Sequence, residues 1–150
     1  LRKRLKPYKN FTGTLFPYQR PIPNLKNLYY KKTIKILKSI NSQKEEGIFY
    51  KNNLLLEGCT TNIVCINNNK IFIPKKNYYS GITMNYLFKM SKRSVNKTNI
   101  SLSALSKYDE ILLIGSGKGV VSLSSIPQIK WKSQSNLVYK EFLNLYQKVL

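Results

Sequence analysis

Glu57 lies between Leu54-Leu55-Leu56 and the β-branched run Ile63-Val64-Cys65-Ile66, in a chain with only six acids against 26 lysines and arginines. A carboxylate so placed is expected to end half buried and to need a cation or hydrogen-bond donors. That partner could be a lysine, making an ordinary structural ion pair, or a protonated ring nitrogen on a bound ligand. Residue chemistry alone leaves both open, because structural pairs also position and perturb carboxylates.

Two further stretches could hold an anion. Ser80-Gly81-Ile82-Thr83 leads into an apolar-periodic run, and the first amides of a helix point outward unpaired in a field that favours negative charge. The plainer reading is that Thr83 is only the N-cap of that helix. Gly115-Ser116-Gly117-Lys118-Gly119 invites a nucleotide reading, which fails on spacing. A P-loop needs a longer glycine-to-Gly-Lys interval followed by Ser or Thr, whereas Lys118 is followed by Gly119. The dinucleotide fingerprint needs a later third glycine that opens a helix. What survives is that small residues let the backbone approach a phosphate and that Ser116 offers a hydroxyl.

At 150 residues and 42% hydrophobic content the chain is long enough for one domain with a real core. No stretch approaches 18 apolar residues, and Leu1-Arg2-Lys3-Arg4-Leu5-Lys6 runs into Pro7 instead of a signal core, so neither a membrane span nor a secretory signal is expected. Cys59 and Cys65, with no histidine anywhere, make neither a disulfide framework nor a good metal site, and fit a reduced, cytoplasmic protein. The net charge of +20 would ordinarily point to nucleic acid. Here the lysines are spread along the whole length in the company of Asn, Ile and Tyr, so nucleic acid is disfavoured. A basic field would still steer small anionic molecules into a cleft.

The elements that must position these groups read as a mixture of helix and strand. Residues 1–24, with Pro7, Pro17, Pro21 and Pro23 between aromatics, are expected to be an extended lead-in and loop. An amphipathic helix is expected from Lys26 to about Ile40, with Leu28, Tyr30, Ile34, Leu37 and Ile40 on its apolar face. Strands over Ile48–Lys51 and Leu54–Glu57 flank the turn residues Asn52-Asn53, and Thr61–Asn67 and Ile71–Ile73 flank Asn68-Asn69, giving a short antiparallel meander. A helix over Met84–Arg93 follows, then a polar segment and a helical turn at Ser103–Lys107. Strands over Glu110–Ile114 and Val120–Ile126 come next, and a closing amphipathic helix spans Asn136–Leu150.

In their order and spacing these pieces resemble the fold-type-IV, or class IV, pyridoxal-phosphate enzymes, which include branched-chain aminotransferases, D-amino-acid aminotransferases and 4-amino-4-deoxychorismate lyases. The resemblance runs from about Leu25 to Val121 and is strongest at Glu57-x-Cys59-x-x-Asn62-Ile63 and at Gly81-Ile82-Thr83. It implies an α+β fold, the larger C-terminal domain of the D-amino-acid aminotransferase-like fold, an antiparallel-rich pseudo-barrel with flanking helices. It implies pyridoxal 5'-phosphate as cofactor, with Lys26 in Leu25-Lys26-Asn27-Leu28 forming its Schiff base and acting as general base. Nothing in composition would have selected Lys26. By the same resemblance Glu57 faces the pyridine nitrogen, Ile82 and Thr83 bind the cofactor phosphate, Ser116 and Gly117 complete that cradle, and Asn62 supports the site without taking part in catalysis.

The sequence departs from the family pattern at Val64, where an aromatic is common, at Ile73 (Thr), at Met84 (Arg or Lys) and at Ser122 (Pro). None of these removes a group assigned to chemistry, and the missing basic residue at Met84 bears on local packing or on the balance of charge at the phosphate. The family's smaller N-terminal domain, which supplies a phosphate-binding arginine and much of the substrate pocket, has no counterpart here. Residues 1–150 are therefore expected to be the C-terminal cofactor-binding domain alone.

Within the family the Lys-x-Leu pattern at Lys26 to Leu28 looks more like the lyase and D-amino-acid branch. The expected activity is the lyase of folate synthesis, which turns 4-amino-4-deoxychorismate into 4-aminobenzoate and pyruvate. A branched-chain or D-amino-acid aminotransferase is the alternative, and a non-catalytic remnant or basic binding module is a second. The expected partners are a small anionic substrate, the missing N-terminal domain and a second copy in a homodimer.

Overall fold

The structure, a computed structural model, describes residues 11–27 and 30–149. Pro7, Tyr8 and the basic start of the chain lie outside the described residues, as do Leu28 and Leu150. Nine strands form one mixed sheet: β1 (Phe11–Pro17), β2 (Glu45–Lys51), β3 (Leu54–Gly58), β4 (Asn62–Asn67), β5 (Lys70–Pro74), β6 (Val95–Thr98), β7 (Glu110–Gly115), β8 (Gly119–Ile126) and β9 (Trp131–Lys132). Among the described residues three helices accompany them, α1 (Lys31–Ser39), α2 (Ile82–Ser91) and α3 (Leu137–Gln147). A 3-10 turn covers Leu102–Lys107.

The strand order is β3-β2-β1-β8-β7-β4-β5-β6, with β9 added beside β8. The two edges then meet. Leu54 bridges Ser101, the Leu55 amide donates to the Ile100 carbonyl at 2.8 Å and the Leu102 amide to the Asn53 carbonyl at 2.9 Å. This curls the sheet into a pseudo-barrel and covers part of the β3 edge, which an open sheet would leave unpaired. Both expected hairpin turns form, with Asn52, Asn53, Asn68 and Asn69 all at positive φ, a conformation asparagine tolerates because its short side chain can bond its own backbone.

The two hairpins are not one meander. β3 is an edge of the sheet, whereas β4 lies between β7 and β5, and Cys59–Thr61 carries the chain from one to the other. β1 falls in the stretch expected to be an extended lead-in and loop. It is instead a central strand, parallel to both β2 and β8. Its prolines mislead because the strand uses only Pro17, at its last residue, where a missing amide costs no ladder bond. β6 reads as polar in sequence because it is a four-residue outermost strand with two exposed positions.

Three apolar layers hold the fold. The barrel interior contains Phe11, Leu15, Ile48, Ile63, Cys65, Leu113 and Leu123. Between the sheet and α2 with α3 lie Val64, Ile66, Met84, Leu87, Leu112, Ile114 and Phe142. A smaller cluster of Ile36, Phe49, Leu56 and Cys59 seats α1. The alternation of period two along β4 and β7 thus feeds two cores at once, which is why both strands read as unbroken apolar runs.

The helices are shorter than their sequence patterns. α1 begins at Lys31, not Lys26, because Pro21 and Pro23 hold residues 21–25 in bends and turns, and Asn27 donates its side-chain amide back to the Pro21 carbonyl at 2.8 Å. The buried face of α1 is Thr33 and Ile36, and Ile34 is half exposed. α2 begins at Ile82 with Gly81 at the N-cap and no side-chain cap, so Thr83 is the second helical residue and not the capping one.

Candidate functional site

Glu57 closes β3 and is buried, 4% exposed. Its partner is Arg20, which approaches both oxygens: Nε donates to Oε1 at 2.5 Å and Nη2 to Oε2 at 2.8 Å. The Tyr79 amide adds a third donor, to Oε2 at 3.2 Å. Arg20 was not foreseen. The partner was expected to be a lysine or a ligand's protonated ring nitrogen, but the planar guanidinium matches a carboxylate fork and is less strongly hydrated than an ammonium, which makes it the better buried partner. A signal did exist: Arg20 is one of four arginines among 26 basic residues and is followed by Pro21 and Pro23, which restrict the chain where a fixed side chain is needed.

Burial raises the Glu57 carboxyl above its ordinary value, against the opposing hydrogen bond and charge of Arg20 and the Tyr79 amide. On Arg20 burial acts to lower the value, and Glu57 together with Tyr30 and Tyr18 more than offsets it, so the guanidinium ends raised. A carboxylate has about four lone-pair sites. Three are taken by these donors, and the one remaining on Oε1 can accept one more N–H.

Glu57 lines a cavity of about 790 Å3 whose walls also include Arg20, Lys26, Tyr30, Ile82, Thr83 and Ser116. Five of the six residues singled out in the sequence therefore border one space. Gly117 does not: it sits at the tip of the β7–β8 turn, one residue beyond the lining residue Ser116. Lys26 is on the loop before α1, exposed and held next to Asn27.

The segment before α2 is fastened from two sides. The Asn62 side chain donates to the Tyr79 carbonyl at 2.5 Å and accepts from the Gly81 amide at 3.0 Å, while Glu57 holds the Tyr79 amide. Asn62 thus ties the start of β4 to the start of α2. The first α2 amides, at Ile82 and Thr83, have no acceptor within their helix and border the cavity, with the positive end of the helix dipole behind them.

On the opposite wall Gly115 and Ser116 end β7. A Cβ on Gly115 would lie 2.7 Å from the Thr60 carbonyl oxygen, so the turn rests directly on the Thr60 backbone. Lys118 does not serve the cavity. Its ammonium contacts Glu46 at 2.6 Å and the Thr60 hydroxyl at 2.7 Å, an arrangement unlike that of a phosphate-binding P-loop lysine.

The donor set is suited to a phosphorylated aromatic aldehyde such as pyridoxal 5'-phosphate: an amine at Lys26, an acceptor for a ring N–H at Glu57, and helix amides with a hydroxyl for an anion. Among the described residues no helix is long and apolar enough to cross a membrane, and no group of three potential ligands could hold a metal ion.

Comparison with solved structures places this fold beside three proteins of related architecture. A protein from Legionella pneumophila, provisionally assigned as a 4-amino-4-deoxychorismate lyase, superposes with a TM-score of 0.83 at 18% identity, over 99% of this chain and 59% of its own. An aminotransferase from Brucella abortus, bound to the cofactor PLP, gives 0.80 at 21% identity, over 98% and 56%. The branched-chain amino acid aminotransferase of Escherichia coli gives 0.77 at 18% identity, over 96% and 54%. The chain therefore spans less than two thirds of each of these proteins. A comparison with curated proteins found no match. The sequence profile of class IV aminotransferases, in contrast, matches residues 3–126 of the 150. By that match the chain belongs to the class IV aminotransferase family.

Proposed function

We propose that this chain forms the cofactor-holding part of a pyridoxal-phosphate-dependent lyase that converts 4-amino-4-deoxychorismate into 4-aminobenzoate and pyruvate, a step of folate synthesis. The observation that carries the reading is the shared cavity of Lys26, Glu57, the α2 amides and Ser116. Bound pyridoxal phosphate would supply an electron sink for a carbanion formed next to its imine.

Each residue then has a part that its surroundings suit. Lys26 would hold the cofactor through its amine and, as general base, would take up the proton that the substrate ring gives away as pyruvate is eliminated and the ring becomes aromatic. The Glu57 carboxylate accepts the ring N–H at its remaining lone pair and keeps the ring nitrogen protonated. Arg20 holds that carboxylate in place at both oxygens. The amides of Ile82 and Thr83, with Ser116, receive the phosphate, and the surplus of positive charge favours capture of a dicarboxylate substrate.

The lyase is favoured over an aminotransferase by the Lys26-Asn27-Leu28 pattern, and the fold's likeness to the Legionella pneumophila protein is consistent with it. The aminotransferase remains the second reading because the Brucella abortus and Escherichia coli proteins share the same fold. Incubation of the intact protein with each substrate separates them. Release of pyruvate and an aromatic amine without a keto acid supports the lyase, and keto-acid-dependent amino transfer supports the aminotransferase. Borohydride reduction tests the site itself: the cofactor should become fixed to Lys26 and not to Lys26→Ala, and attachment at another lysine would overturn the assignment.

A further inference from the structure

We propose that Glu46 and Lys118 are positioning residues of the cavity, a buried clamp that fixes the Gly115–Gly119 turn, and with it Ser116, against the Thr60 segment. The proposal rests on the reading of Ser116 as part of an anion cradle. Neither clamp residue lines the cavity, whereas Thr60, Gly115 and Ser116 all do.

Glu46 projects from β2 and is completely buried. It accepts from the Thr60 amide at 3.0 Å and the Thr60 hydroxyl at 2.9 Å, and Lys118 reaches Oε2 at 2.6 Å. Lys118 donates as well to the Thr60 hydroxyl at 2.7 Å, so the three side chains close on one another. The side chain of Lys118 is 10% exposed.

The turn needs such a hold. It is the tip of the β7–β8 hairpin, where Gly115 pairs with Gly119, and three of its five residues are glycines, which give up more conformational freedom on ordering than any other residue. Around Gly117 there is open space on every side where a Cβ would stand. A buried ion pair alone is a weak source of stability, since an apolar pair of equal volume would often serve as well, and its better-attested use is to fix one geometry among several. Here the geometry fixed is the seating of the Ser116 turn on the Thr60 segment that follows Glu57. Glu46 lies on the sheet that carries β3 and Glu57, and Lys118 lies on the turn that carries Ser116.

The test compares binding of pyridoxamine 5'-phosphate and pyridoxamine to the intact protein by fluorescence titration. Neither ligand has an aldehyde, so surface lysines do not trap it. The double variant Glu46→Gln/Lys118→Met leaves no unpaired buried charge and keeps both side-chain shapes. It is expected to lose about tenfold of the preference for the phosphorylated ligand, the worth of one charge-assisted hydrogen bond, with pyridoxamine affinity nearly unchanged. Lys118→Arg, which keeps the cation, should retain most of the preference.

If the double variant lowers both affinities equally, or lowers only the melting temperature, the clamp has a merely structural role and the proposal is overturned. Thr83→Ala and Ser116→Ala calibrate the measurement. Loss of preference in these two but not in the double variant overturns the clamp alone. No loss in any of them overturns the cradle, and the clamp with it.

Discussion

The β4–β7 ladder has a buried glutamate near each end, and the two serve different purposes. At one end Glu110, opposite Ile66 and 1% exposed, accepts from the Val138 amide at 3.1 Å and the Tyr139 amide at 3.0 Å. These are among the first amides of α3, so the carboxylate meets a helix dipole and needs no side-chain cation. At the other end, where Asn62 faces Ile114, Glu57 takes a full guanidinium and one amide and borders the cavity. Both acids are buried and both are satisfied. Rarity does not separate them either, because the remaining acids also have partners: Glu45 with the Asn41 amide, Glu46 with Lys118, Asp109 with the Asn68 amide, Glu141 with Arg93. What separates Glu57 is that it keeps a spare lone pair and lines a cavity that Lys26 also lines.

The largest effect should come from breaking the guanidinium fork. Arg20→Met leaves Glu57 buried without its cation and should cost about 3–5 kcal/mol in urea unfolding, with much of it recovered in Arg20→Met/Glu57→Gln. A loss under about 1 kcal/mol would mean that the pair is solvated like a surface bridge and that Glu57 is not held as described. Glu57→Gln comes next. It should slow turnover of cofactor-loaded protein about a hundredfold, the scale for removing one electrostatic group from a reacting centre, while cofactor stays bound. It should also lose some stability, because Arg20 then faces an amide. An unchanged rate would put Glu57 in the same class as Glu110.

The strand and helix types were largely legible because they rest on local chemistry: asparagine pairs at both hairpin turns, period-two and period-3.6 patterns, and the glycine turn. The failures are tertiary. β1 is recognisable only once β2 and β8 stand on either side of it, and β6 is too short and polar to carry a pattern. In the site, Glu57 was visible as an acid in an apolar run, but Arg20 lies 37 residues earlier and no periodicity links the two. Glu46 and Glu110 were hidden for the opposite reason. Each stands beside another acid in sequence, which looks like a solvated surface, and only the packing of Lys118 and of α3 buries it.

Glu110→Ala should have a smaller effect than either change at Glu57, and on stability alone. It strips the α3 amides of Val138 and Tyr139 of their acceptor and removes a charge from the helix N-terminus, which together should cost about 2 kcal/mol in urea unfolding. Pyridoxamine 5'-phosphate affinity, extrapolated to the folded fraction, should not change. A loss of affinity would show that the two ends of the ladder are coupled, and the contrast between them would then be one of degree.

The two cysteines repeat the comparison with an effect confined to alkaline pH. Cys59 borders the cavity, whereas Cys65 pairs with Ile111, one residue from Glu110, and is completely buried. Burial pushes both thiols up, Cys59 to about 12 with the Glu46 charge adding to it. A raised folded value means that the neutral thiol's contribution is fully present below the ordinary value of 9.0 and is lost as pH climbs toward 12. Folded protein should therefore lose about 1.4 kcal/mol per thiol for each pH unit above about 9, read as a falling melting temperature between pH 8 and pH 10.5. Tyr108, raised to about 12 by burial, adds to the loss once its own ordinary value of 10.0 is passed. Cys59→Ser should remove one share of the fall. At pH 8 both thiols should react slowly with a disulfide reagent, but Cys59 alone should be slowed further by pyridoxamine 5'-phosphate, because only its wall faces the ligand. Equal protection of Cys65 would mean that ligand binding tightens the whole ladder, so that its Glu110 end is not independent of the site.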